Sequence, residues 1–135
     1  MTDLLDRTLV RGRLLSLVLC VDALACALFA VGLLLFNGPV EDRLGLPPTL
    51  SLVVGVALLP WLAALIMAAS RPVRSGVILA IVAGNAVWVL ASAAFAVAGW
   101  ADLTDLGTAF VLVQAGGVAV IAWLGYLGLR RASPA

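Results

Sequence analysis

The chain has no histidine and no lysine, and only 11% of its 135 residues are charged. The absence of histidine excludes bis-histidine haem ligation, most zinc sites and imidazole acid–base catalysis. No nucleophile is accompanied by a base that could activate it. The sequence therefore predicts a protein that is not an enzyme and that holds no metal or cofactor. A net charge of +1 offers no basic surface to nucleic acid.

Cysteine is also scarce, and the two cysteines do not form a redox motif. Cys20 and Cys26 lie six residues apart in one apolar run, so that in a helix their side chains point in different directions. They cannot easily join within one straight helix, and the chain has no CxxC sequence. We interpret both as small apolar packing residues.

Long apolar runs dominate the chain, which is 64% hydrophobic. Because a helix rises about 1.5 Å per residue, about 20 apolar residues cross the ~30 Å hydrocarbon core of a bilayer. Short links between such runs make consecutive helices antiparallel neighbours. The sequence predicts an all-α, integral membrane, up-down four-helix bundle that forms one domain over residues 1–135. The predicted spans are residues 14–36, 49–70, 75–101 and 106–129.

The arginines are distributed asymmetrically around these runs. Basic residues near a span resist translocation, so they mark the cytoplasmic side. Only Arg43 falls on the other side. The pattern predicts a multi-pass protein of the bacterial plasma (inner) membrane with both termini cytoplasmic. The arginines on the predicted cytoplasmic side are Arg7, Arg11, Arg13, Arg71, Arg74, Arg130 and Arg131.

The segments outside the spans carry two further expectations. In residues 1–13 the acidic Asp3 and Asp6 precede the basic Arg7 and Arg11, an order that the helix dipole favours. This predicts an amphipathic interfacial helix that lies along the headgroups. Residues 37–48 are expected to form a link whose leucines dip into the membrane interface.

Asp22 is the only acidic or basic side chain (Asp, Glu, Lys or Arg) inside a predicted span. An aspartate at the centre of a membrane helix costs about 2.5–3.5 kcal/mol, so a partner is expected. Asn85 of the third span lies at nearly the same depth and is the predicted partner. The carboxyl group can either hold helices together by hydrogen bonding or exchange a proton with water as a coupling site, and both interpretations remain open.

Further polar residues follow helical spacing in the third and fourth spans. Asn85, Trp88 and Ser92 recur at intervals of three and four residues, which places them on one stripe of the third helix. Gln114 of the fourth span has the depth of Ser92, so these two are expected to form a second polar layer. The stripe is either the packed inner face of the bundle or the wall of a ligand site.

Small residues also recur at helical spacing. Gly76, Ala80 and Gly84 form one such face in the third span, and Gly125 and Gly128 belong to another in the fourth. Faces of this kind allow helices to approach closely. The predicted partners are therefore the lipid bilayer and, through these faces, other membrane subunits or further copies of the chain.

Three short motifs carry a resemblance to a known group. Leu44-Gly45-Leu46-Pro47, Asn85-Ala86-Val87-Trp88 and Leu127-Gly128-Leu129-Arg130-Arg131 together resemble a group of short, uncharacterised bacterial four-helix integral membrane proteins. That resemblance implies the architecture and no activity. A second resemblance is to the small multidrug resistance transporters, which have four helices and one carboxylate in the first span, as Asp22 is here. Those transporters use glutamate at that position, and the residues around Asp22 differ from their pattern.

These observations lead to two functional hypotheses. The first is a small non-enzymatic integral membrane protein that is a structural or accessory subunit of a membrane complex. The alternative is a proton-coupled small-molecule transporter of the small multidrug resistance type, acting as an oligomer through Asp22. The oligomer is expected because four helices with one carboxylate enclose little cavity by themselves.

Overall fold

The computed structural model describes residues 9–99 and 101–134. This part of the chain forms five helices and one small antiparallel sheet. The helices are α1 (Arg13–Leu35), α2 (Asn37–Leu44), α3 (Pro48–Ser70), α4 (Ser75–Ala98) and α5 (Asp105–Arg131), and the strands are β1 (Leu9–Arg11), β2 (Val73–Arg74) and β3 (Ser133–Pro134).

Four of the helices, α1, α3, α4 and α5, are long and apolar enough to span a membrane, which indicates a multi-pass membrane protein. Their bounds lie close to the predicted spans. The largest difference is at the end of α4, three residues earlier than predicted, because Gly99 adopts the left-handed conformation with φ 68° and caps the helix. Thr104 starts α5 by accepting a hydrogen bond from the Gly107 amide at 2.9 Å.

The long helices pack as two pairs, α1 with α3 and α4 with α5, and the pairs join through α1 and α5. At the contact between α1 and α5, a Cβ on Gly128 would lie 3.0 Å from the Leu15 Cα, so glycine is what lets these backbones approach. The contact confirms the small-residue face predicted for the fourth span. In contrast, α3 and α4 touch sparsely although a very short turn connects them.

The strands form one sheet in the order β2-β1-β3, at what we call the sheet end of the bundle. Val10 pairs with both Val73 and Pro134. The predicted interfacial helix is therefore wrong over Leu9–Arg11, and residues 1–8 lie outside the described residues. The helix prediction failed here because it used local charge order, whereas the strand depends on hydrogen-bonding partners from residues 73–74 and 133–134.

The opposite end, which we call the α2 end, also differs from expectation, because residues 37–44 form a helix instead of a loop. The Leu44 carbonyl accepts a hydrogen bond from the Thr104 amide at 3.1 Å, and the Thr104 hydroxyl donates to the Arg43 carbonyl at 2.6 Å. A side chain on Gly107 would overlap the Leu44 backbone. This docking buries Leu46 inside the protein (7% exposed), which corrects its predicted place at the membrane interface.

The small-residue face predicted on the third span has a different use from the expected one. A Cβ at Gly84 would overlap the Trp61 indole, so this glycine accommodates a side chain of α3. Nothing lies within 4 Å of a Cβ built on Gly76, and Ala80 is exposed. Within the bundle, this face makes no close backbone contact between helices at Gly76 or Ala80.

Candidate functional site

Asp22 of α1 and Asn85 of α4 meet in the bundle interior. The Asn85 Nδ2 donates a hydrogen bond of 2.8 Å to the Asp22 Oδ2, and the two residues are only 5% and 6% exposed. The contact predicted from equal depth is therefore present. A hydrogen bond from a primary amide stabilises a buried carboxyl group but supplies no charge.

A second polar contact lies nearer the α2 end and differs in its partners from the predicted layer. The Trp88 Nε1 donates to the Gln114 Oε1 at 2.9 Å, while the Gln114 Nε2 donates to the Val111 carbonyl at 2.9 Å. Ser92 is buried and lines the same cavity as Gln114. Gln114 and Ser92 therefore line one cavity, as expected of a common layer, but the hydrogen bond to Gln114 comes from Trp88, one turn nearer the sheet end.

A cavity of about 490 Å³ lies between the four long helices near the middle of the bundle, and it is the nearer of two cavities to the sheet. We call it the sheet-side cavity. Asp22, Asn85, Trp88 and Gln114 are all part of its wall, so four of the five predicted site residues converge there. Its volume falls within the ~300–1,000 Å³ typical of small-molecule sites. Further lining residues are Ala25, Cys26, Phe29, Val53, Val54, Ala57, Leu58, Trp61, Gly84, Gly117, Val118 and Ile121.

The sheet-side cavity is not sealed from its surroundings. Ala25, Val53, Ala57 and Gly117 line it and are also exposed. They come from three different helices. The sparse contact between α3 and α4 leaves a side of the bundle at which such access is possible.

A second cavity of about 280 Å³ lies nearer the α2 end, and we call it the α2-side cavity. Ser92, the fifth predicted site residue, lines it. Most of the other side chains of its wall are aliphatic or aromatic. The complete set of other lining residues is Phe29, Leu33, Leu46, Leu50, Ser51, Val54, Trp88, Ala91, Phe95, Phe110, Val111 and Gln114.

Four residues line both cavities and form a layer between them, which we call the dividing layer. Phe29, Val54, Trp88 and Gln114 belong to it, one from each long helix. The Phe29 ring meets the Trp88 ring edge-on at 6.0 Å and stacks on Phe110 at 5.7 Å. Aromatic contacts and the Trp88–Gln114 hydrogen bond hold this layer in place.

The described basic side chains lie away from Asp22. All eight basic residues of the chain are arginines, and the seven that the structure describes lie near helix ends, in the strands or in links. The nearest polar neighbours of the carboxyl group are therefore uncharged. Cys26, which also lines the sheet-side cavity, donates its thiol to the Leu58 carbonyl at 3.7 Å. Within residues 9–99 and 101–134, no three His, Cys, Asp or Glu side chains converge as a candidate metal site.

Sequence reasoning missed three lining residues that shape the cavities: Phe29, Ser51 and Trp61. On α3, the inward positions Ser51, Val54, Leu58 and Trp61 follow intervals of three and four residues. That signal was present, but the almost uniformly apolar surface of α3 makes one face hard to distinguish from another.

No family model, no curated protein and no solved structure matches this chain. The site's chemistry alone therefore supports the functional proposal.

Proposed function

We propose that this protein is a non-enzymatic, multi-pass protein of a bacterial inner membrane that binds a small lipophilic cation in the sheet-side cavity. In this proposal Asp22 is the counter-charge, and cation and proton replace one another on its carboxyl group. One observation carries the proposal: a cavity of about 490 Å³ is bounded by all four long helices and has Asp22 in its wall.

The chemistry of the wall favours a cation. Asp22 has an amide partner, and none of the described arginines lies inside the bundle beside it. A buried carboxylate requires a positive partner or a proton. Phe29, Trp61 and Trp88 line the same space. Aromatic faces attract organic cations by about 0.5–2 kcal/mol each, so carboxylate and rings act on the same ligand.

Proton exchange follows from the single carboxyl group. When the cation binds the carboxylate, the proton leaves Asp22 for water, and when the cation leaves, a proton returns. A single carboxylate carries one negative charge, so it cannot hold the cation and the proton at the same time. Binding at one face of the membrane and release at the other would then move cation and proton in opposite directions.

The sequence led us to expect that such a site requires several copies of the chain. That expectation rested on the idea that four helices enclose little cavity, whereas a cavity of about 490 Å³ lies between the four long helices of one chain. A single chain is therefore sufficient for the proposed binding site.

The arginine asymmetry supports the proposed orientation, with the sheet end in the cytoplasm. Arg71, Arg74, Arg130 and Arg131 lie at or beside that end. A single cysteine introduced at Asp102 should react with a membrane-impermeant maleimide added to intact cells. Labelling that occurs only after the membrane is permeabilised would instead place residue 102 in the cytoplasm and contradict the proposed orientation.

A role as accessory subunit of a membrane complex is the second candidate. Gly76 and Ala80 on α4 lie on a small-residue face that none of the described helices covers closely. Such faces accept a neighbouring membrane helix. Gentle detergent extraction followed by native mass spectrometry tests this role, because a constant partner that is lost in Gly76→Leu would support it.

The transport proposal is tested in proteoliposomes with tetraphenylphosphonium as the probe. Uptake of the probe should follow an imposed pH gradient, and probe binding should release a proton. Asp22→Asn keeps hydrogen-bonding capacity but cannot ionise, so uptake and proton release should both vanish. Asp42→Asn makes the same chemical change on the exposed helix α2 and should leave both unchanged. Equal uptake by Asp22→Asn and wild type would refute the proposal.

A further inference from the structure

The α2-side cavity differs from the sheet-side cavity in containing no ionisable group. We propose that it is a second binding site, which takes an uncharged lipophilic molecule with a carbonyl oxygen, and that the Ser51 hydroxyl is the polar anchor for that oxygen. This site does not depend on Asp22 and goes beyond the proposed function.

Ser51 is the observation that points to a ligand. It is 2% exposed, and within residues 9–99 and 101–134 its Oγ is the one buried side-chain N or O atom without a hydrogen-bond partner. A buried hydroxyl without a partner is unfavourable. Ser51 also lines the α2-side cavity, so a ligand in that cavity can supply the missing acceptor.

Two other polar side chains of the wall, Trp88 and Gln114, already have hydrogen-bond partners, whereas Ser51 has none among the described residues. The indole N–H of Trp88 is bonded to Gln114, and the side-chain amide of Gln114 donates to Val111. These groups are already paired with each other or with backbone. The Trp88 N–H and one of the two Gln114 amide N–H groups are therefore in use, whereas a ligand oxygen can accept from the Ser51 hydroxyl without displacing any partner.

The remaining wall determines the class of ligand. Leu33, Leu50, Phe95 and Phe110 offer apolar contact, and no side chain there balances a charge, so a charged ligand would be desolvated without compensation. At about 280 Å³ the cavity lies just below the ~300–1,000 Å³ typical of small-molecule sites, so it suits a small ligand of one or two rings. An apolar aromatic ketone has the required body and the required acceptor.

The dividing layer keeps the two sites separate. Trp88 bonded to Gln114, with Phe29 packed against the indole, lies between the cavities. The two sites should therefore bind their ligands independently.

Benzophenone tests the proposal, since it is an uncharged aromatic ketone that attaches to nearby C–H bonds when irradiated. The excited carbonyl takes a hydrogen atom from the C–H group, and the two radicals join, so the carbonyl becomes a hydroxyl on a new C–C bond. Full-length protein in lipid nanodiscs is irradiated with a concentration series, and peptide mass spectrometry locates the adducts. We expect saturable adducts on the wall of the α2-side cavity, at Leu50, Phe95 or Val111.

Two variants of the wall should weaken this labelling. Ser51→Ala removes the anchor and should lower the apparent affinity about three- to tenfold, the effect of one neutral hydrogen bond. Ala91→Leu places a larger side chain into the cavity wall and should lower labelling more than tenfold. Ala94→Leu makes the same change at an exposed position of α4 that lines neither cavity and should have no effect.

A measurement of stability separates an anchor from a structural residue. Removing an unpartnered buried hydroxyl should leave the melting temperature of the unliganded protein unchanged or raise it, so Ser51→Ala should lose binding without losing stability. Labelling that is unchanged in both Ser51→Ala and Ala91→Leu, or that is spread over exposed positions, would overturn the proposal. Labelling abolished by Asp22→Asn would also overturn it, because binding would then belong to the sheet-side cavity.

Discussion

The two cavities lie between the same four helices and share one layer of side chains, yet their polar groups are arranged differently. In the sheet-side cavity the carboxyl group of Asp22 is bonded to Asn85 on another helix. In the α2-side cavity the hydroxyl of Ser51 has no hydrogen-bond partner among the residues that the structure describes. The comparison shows that a polar side chain between long apolar helices can either hydrogen-bond within the protein or remain available to a ligand. We expect the two arrangements to bind different ligands.

The largest effect should come from removing the charge of one cavity while leaving the other intact. Asp22→Asn should weaken tetraphenylphosphonium binding at least about 30-fold, since a buried ion pair that loses one partner typically costs 2–5 kcal/mol. Benzophenone binding should stay within about twofold of wild type. Equilibrium binding of both probes in nanodiscs measures the two values. A parallel loss of both would mean that the cavities act as one site.

The next effect concerns the stability that the polar pair gives to the bundle. Asn85→Leu leaves the buried Asp22 carboxyl without its donor and should lower the free energy of unfolding by about 1–3 kcal/mol. Unfolding in mixed micelles with increasing sodium dodecyl sulfate measures the change. In the double variant Asp22→Leu with Asn85→Leu no unpaired group remains, so its loss should be smaller than the sum of the single losses. Strict additivity would show that the pair does not couple α1 to α4.

A smaller effect is expected at the dividing layer. Trp88→Phe removes the donor to Gln114 and part of the indole, and should cost about 1–2 kcal/mol. The cavities should then connect, so that tetraphenylphosphonium and benzophenone compete, which they should not do in wild type. Trp123→Phe, at a position 61% exposed, is the matched control and should leave binding independent. Independent binding in Trp88→Phe would assign the separation to other residues of the layer.

The smallest effect on stability should be that of Ser51→Ala. Because the hydroxyl has no partner, its removal should change the free energy of unfolding by less than about 0.5 kcal/mol, or increase it. Ser92→Ala in the same wall provides a comparison for loss of a hydroxyl. A loss of more than about 1 kcal/mol in Ser51→Ala would show that the hydroxyl has a structural partner after all.

The sequence predicted the helices and the polar pair better than it predicted the cavities. Helix length follows from long apolar runs, and the depth of Asp22 and Asn85 follows from counting residues along two helices of known direction. The choice of Trp88 as partner of Gln114 depends on side-chain reach, which counting does not include. The cavities depend on how sparsely α3 and α4 touch, a property of packing between faces that look alike in the sequence.

The docked segment at the α2 end was equally hard to foresee. Gly45 and Gly107 are required because backbone from two distant segments meets there, and Gly45 has φ 79°. A glycine next to a leucine gives no local indication of which backbone will approach it. Strand β1 was missed for the same reason, because both of its pairing partners are distant in sequence.

Strand β2 connects α3 to α4, and it is hydrogen-bonded to β1, which in turn pairs with the segment after α5. The end of α3 and the start of α4, both at the sheet end, are thereby fixed to the start of α1 and to the end of α5. If these two helices separate to admit a molecule, the movement must be a rotation about the sheet, with the greatest displacement at the far end. Entry and exit would then be controlled by how firmly Leu44 is held against Thr104. These two segments are far apart in sequence but adjacent in space, since Gly45 lies directly against the Asp102 backbone.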